Sequence, residues 1–167
     1  MFRFGTRHAS AMLLLSSIAL LLFSSASASS HTCTNSFISV KADETADYDD
    51  ICSSAEDALT FFKQLNLEPM HPLVVEVVPS LPDTVSRTAI GCYLEENERI
   101  LVLTYAAVQE RETWFGVAVD RSIYLSLVTH EVAHAVASCN FAIPNPTIQA
   151  HEYVAYVAMF AMMNPNL

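Results

Sequence analysis

Apolar and polar positions follow two periods along this chain, and the change from one to the other marks out its elements. Residues 36–41, SFISVK, alternate as a strand does. After Asp49 or Asp50 as a cap, the run ICSSAEDALTFFKQLNL spaces Ile51, Ala55, Ala58, Leu59, Phe62 and Leu65 by threes and fours, which predicts an amphipathic helix. PLVVEVVP, bounded by Pro72 and Pro79, is rich in β-branched valine and reads as a buried strand. AIGCYLEENERILVLTY holds two strand-like runs on either side of the acidic turn Glu95 to Asn97, the pattern of a hairpin. A short polar helical piece around Ala106 to Thr113 and the lone tryptophan, Trp114, come next. Asp120 can cap a helix that reaches about Cys139, AIPNP breaks it, and a last helix runs from about Thr147 to Met163. With strands early and two long helices late, the expected fold is α+β. A small twisted antiparallel or mixed sheet should pack on an N-terminal helix and on the helix after Asp120, with the C-terminal helix last.

The first 28 residues depart from this periodicity. Arg3 and Arg7 precede an apolar core from Ala11 to Phe23, and small residues lead to Ala26-Ser27-Ala28, the layout of a signal peptide cut near Ser29. That core is shorter than the roughly 20 residues a spanning helix needs, so no stable membrane anchor is expected after cleavage. Residues 29–167 then form the mature chain, a single domain with enough length for a real core, delivered to the periplasm or the extracellular space.

Charge and cysteine content narrow the picture further. Without Arg3 and Arg7 the chain keeps six basic residues against 18 acidic ones, a formal charge of −12, which makes nucleic acid and anionic membrane poor partners. All four cysteines lie in the exported part, and an even count in an oxidising compartment predicts two disulfides. Cys33 with Cys52 is the preferred pair because it ties the first strand to the first helix, leaving Cys92 with Cys139. A thiolate metal site is the competing reading, but no C-x-x-C pair is present.

Within the helix after Asp120, THEVAH interrupts an otherwise apolar run with His130, Glu131 and His134. Burying such groups uncompensated costs several kcal/mol, on the order of 2–7 for a neutral polar group alone. On a helix, positions i and i+4 share a face, so His130 and His134 can present two imidazole nitrogens to one cation, with Glu131 beside them to take a proton from water. A catalytic zinc site usually has three protein ligands and water. The last helix offers His151 and Glu152, which point about 100° apart, so one of them is expected to ligate. Glu152 shares a face with Ala155, Tyr156 and Met159 and is the better choice; His151 stays open as the alternative.

His130, Glu131 and His134, followed after a spacer by Glu152, resemble the gluzincin metallopeptidases, and AHEYVAYVA is similar to the glutamate helix of the small minigluzincins. The H-x-x-G-x-x-H extension of a metzincin is missing. The resemblance implies a Zn2+ cofactor held by His130, His134 and Glu152, with Glu131 as proton acceptor. It also implies an extended peptide or protein substrate lying along a sheet edge.

The strand Arg99 to Tyr105 is the expected edge, with Leu101 and Leu103 as substrate contacts. Tyr156 is the expected donor to the oxyanion, with Tyr153 and Tyr105 as weaker choices, and Trp114 with Phe115 forms either a side-chain pocket or core. The expected function is an exported zinc metalloendopeptidase. The alternatives are a non-catalytic, zinc-stabilised peptide-binding or inhibitory module and a disulfide-held domain without metal.

Overall fold

Strands β1 (Ser29–Thr32), β2 (Ile38–Ala42), β3 (Leu73–Val78), β4 (Gly91–Leu94) and β5 (Arg99–Leu103) form one mixed sheet in the order β1-β2-β3-β5-β4. The computed structural model describes residues 29–43, 48–111 and 113–163, so the signal peptide expected at 1–28 lies outside the described residues. The inner strands β2, β3 and β5 run parallel, while β1 and β4 flank them antiparallel. The fold is α+β, as the sequence predicts.

Alternation along the strands explains which face is covered. In β2 and β3 every second residue is buried, and Ile38, Val40, Leu73 and Val75 join Ile100 and Val102 of β5 in one core. Against that face pack α1 (Tyr48–Gln64), through Ile51, Ala55, Ala58 and Phe62, and α3 (Arg121–Asn140), through Val128, Val132 and Val136. Each of the valine, isoleucine and phenylalanine side chains taken fully from water contributes about 1.5–3 kcal/mol, and each alanine methyl about 0.8 kcal/mol. Glu76 and Arg99, on the other face of the sheet, pair with each other. Cys33 and Cys52 form a disulfide that ties the segment between β1 and β2 to α1.

Both late helices begin where the sequence places them. Asp120 accepts a hydrogen bond from the Ile123 amide at 2.8 Å, and Thr147 caps α4 (Ile148–Met162) by accepting from the Ala150 amide at 3.2 Å. Helix α3 packs most extensively on α4 and α1. Ser54 of α1 donates to the Leu125 carbonyl at 2.7 Å, and the Tyr124 hydroxyl donates to the Leu103 carbonyl at 3.0 Å, so α3 is fixed to α1 and to β5. Among the described residues no helix is long and apolar enough to cross a membrane.

Four expectations need correction. Helix α1 starts at Tyr48, which puts Asp49 and Asp50 in its first turn, where Asp50 accepts from Arg121. The short helix α2 covers only Tyr105–Gln109 and does not reach Thr113, which with Trp114 forms β6 (Thr113–Trp114) of a hairpin with β7 (Val117–Ala118). Strand β5 is not an edge: β3 and β4 occupy its two sides, so Leu101 and Leu103 are buried on an interior strand that cannot accept another. Cys92 and Cys139 are free thiols. Tyr93 packs against the helix-facing core, so its neighbour Cys92 projects from the opposite face of β4, away from Cys139 at the end of α3.

Candidate metal centre

Helices α3 and α4 bring His130, His134 and Glu152 together, with one ligand atom from each lying within 4.8 Å of the others. The two histidine Nε2 atoms are 3.0 Å apart. Glu152 reaches His130 Nε2 with Oε2 at 3.4 Å and His134 Nε2 with Oε1 at 3.6 Å. Ligand atoms held about 2.0–2.1 Å from one zinc ion at tetrahedral angles stand roughly 3.3–3.4 Å apart, so the donor set fits a cation of that size. His151 is not part of this group. Its ring lies 6.4 Å from that of His134 and packs edge-on to Phe141 at 4.7 Å.

The chemistry of the donors agrees with their spacing. Burial, followed by the neighbouring His134, lowers the His130 pKa to about 3, and burial followed by His151 lowers that of His134 to about 4. Both imidazoles are therefore neutral with a lone pair to offer, and their approaches to Glu152 are not ion pairs. The two histidine side chains are 8% and 14% exposed, whereas that of Glu152 is 42% exposed, so solvent reaches the group from the α4 side. Burial raises the Glu152 pKa, with His151 acting the other way.

Glu131 stands beside this group. Its carboxyl is buried, Oε2 has no hydrogen-bond partner, and desolvation, then Glu152, pushes its pKa up to about 8. A cation held by His130, His134 and Glu152 would act in the opposite sense and favour the carboxylate. Glu131, Ala135 and Ser138 recur at helical spacing on the side of α3 that faces the edge strand β4, where Glu131 meets Gly91 and where Ala135 and Ser138 line one groove with Tyr93.

Strand β4 is the true sheet edge on this side. The Leu103 amide donates to the Ile90 carbonyl at 2.9 Å, so Ile90, Cys92 and Leu94 turn their backbone groups toward β5. By antiparallel alternation, Gly91 and Tyr93 turn theirs outward. Gly91 was not singled out from the sequence, although a glycine opening a strand in a chain with only three glycines is a signal of close approach.

The aromatic residues separate into near and far. Tyr156 packs its ring 4.6 Å from that of His130, with Trp114 at 6.3 Å and Phe160 at 6.0 Å on its other sides. Tyr105 packs on Tyr124 and accepts from Gln109, while Tyr153 is 72% exposed. Phe115 forms the tip of the β6-β7 hairpin with Gly116, both at positive φ as a tight two-residue turn requires. It is 80% exposed and so is not core.

A family model described as a family of unknown function, DUF6639, matches residues 38–167, which takes in every residue of this site. The chain belongs to that family. No curated protein and no solved structure matches it.

Proposed function

We propose that this DUF6639 member is an exported zinc metallopeptidase of the gluzincin type, which hydrolyses a peptide bond in an extended segment. The observation that carries the reading is the set of three donors from two helices, two neutral imidazoles and one carboxylate, with a second, buried carboxyl beside a strand that is the sheet edge among the described residues. Export is supported by the Cys33–Cys52 disulfide, which belongs to an oxidising compartment.

His130, His134 and Glu152 would hold the ion. Bound zinc supplies a Lewis acid and makes water a nucleophile near neutral pH. Glu131 accepts a proton from the attacking water on a carboxylate oxygen, and its buried setting then holds the carboxyl in the protonated form until the leaving amine nitrogen takes that proton. Tyr156 donates its hydroxyl to the oxyanion. The substrate lies along β4, where Gly91 and Tyr93 offer it outward-facing backbone groups.

The test is Glu131→Gln, which keeps side-chain size and removes the proton acceptor. It should leave zinc content and thermal stability nearly unchanged and abolish cleavage of a diverse peptide library. If wild type at full zinc occupancy leaves every peptide intact, the peptidase reading fails and a zinc-stabilised peptide-binding module replaces it.

A further inference from the structure

The contact between β4 and α3 places the bare Cα of Gly91 directly against the side chain of Glu131. A Cβ built on Gly91 would lie 2.6 Å from Glu131 Cγ and 2.8 Å from both Cδ and Oε1. The backbone of Gly91 does not itself require glycine, since the positive-φ glycine among the described residues is Gly116. Space for the neighbouring carboxyl is the remaining reason for a residue that weakens a strand.

Glu131 has little room to give way. The closest atom is Cγ, near the root of the side chain, and the whole residue is buried. Its helix cannot back off as a unit, because Ser54 holds the Leu125 carbonyl and Tyr124 holds the Leu103 carbonyl. A methyl group at position 91 would therefore turn the carboxyl away from the edge of β4.

We propose that Gly91 is a positioning residue for Glu131: by carrying no side chain it lets the carboxyl lie between the zinc ligands and the outward-facing backbone of β4. Apart from the backbone groups it turns toward the substrate, which any residue would supply, Gly91 touches neither metal nor the bond being cleaved. The inference rests on the reading of Glu131 as proton acceptor, but the steric contact has a test that needs no activity.

That test is a double-mutant cycle of Gly91→Ala and Glu131→Ala, with thermal denaturation and zinc content measured on the full mature chain. Gly91→Ala should lower Tm by several degrees with Glu131 present and by no more than a degree in the Glu131→Ala background, where the added methyl fills vacated space. Both single variants should keep about one zinc per chain. On a peptide that wild type cleaves, Gly91→Ala should lower kcat by roughly 10–100-fold with KM changed less than threefold, because the proton acceptor and not the binding edge is displaced.

Equal Tm losses in both backgrounds would overturn the proposal, as would an unchanged kcat or a loss of zinc from Gly91→Ala. If wild type cleaves nothing while the Tm cycle shows the coupling, the Gly91–Glu131 contact stands and the peptidase reading alone fails.

Discussion

The rings of His130 and Tyr156 lie 4.6 Å apart, on helices α3 and α4 respectively. This contact puts a phenol beside a candidate metal ligand, and burial followed by Glu152 and Glu131 raises its pKa, so it stays a hydrogen-bond donor at neutral pH. Tyr156→Phe keeps the ring and deletes the hydroxyl. It should retain zinc and Tm while kcat falls about 10²-fold, the range for losing one oxyanion donor. Steady-state kinetics on a cleaved peptide checks this, and an unaltered kcat would reduce Tyr156 to packing.

Metal removal should be visible as lost stability. With two neutral imidazoles converging at 3.0 Å and Glu152 closing the group, the folded chain offers a cation a set of donors that the unfolded chain does not hold together. Zinc at about 100 times its Kd stabilises by roughly 2.7 kcal/mol. For a domain of this size that corresponds to a Tm increase of about 5–10 °C. EDTA should reverse the shift, and His134→Ala should show neither the shift nor bound zinc. A wild-type Tm indifferent to zinc and EDTA would remove the metal centre.

The parts of this molecule that were legible in its sequence are those specified locally. His130 and His134 are one helical turn apart by covalent geometry, and Asp120 and Thr147 announce their helices by capping chemistry. The choice of Glu152 over His151 followed from the apolar company on its helix face. Strand order was not legible, because β4 and β5 form a hairpin whose orientation depends on which member pairs with β3, a contact distant in the chain. The periodicity of RILVLTY is the same for an edge as for an interior strand. Strand β1, the exposed SSHT, has no apolar alternation to reveal it. Phe115 occupies a turn position that disfavours bulky residues, so its propensity pointed elsewhere.

Thiol chemistry separates the two expected disulfides. Iodoacetamide on the unreduced protein should modify Cys92 and Cys139, while Cys33 and Cys52 react only after reduction. Cys92 should react slowly, since burial, then the charge of Glu131, raises its pKa and lowers its thiolate fraction. Peptide mapping by mass spectrometry reads this directly. Four protected cysteines would mean that Cys92 and Cys139 do find each other.

Helix α3 carries both histidines and Glu131, so its start offers a way to separate stability from site integrity. The Asp120 side chain accepts from the Ile123 amide at 2.8 Å, satisfying one of the amides that a helix leaves unpaired at its first turn. Asp120→Ala removes that acceptor and a negative charge at the positive end of the helix, at a cost of about 1 kcal/mol. For a chain of this length the cost appears as a Tm lower by roughly 3–5 °C. His130 lies more than two helical turns further on and is held by the packing of α3 on α4, so zinc per chain should not change. Calorimetry paired with metal analysis makes the comparison. A variant that loses zinc along with its cap would show that the first turns of α3 and the metal centre melt as one unit, contrary to the local role assigned to Asp120.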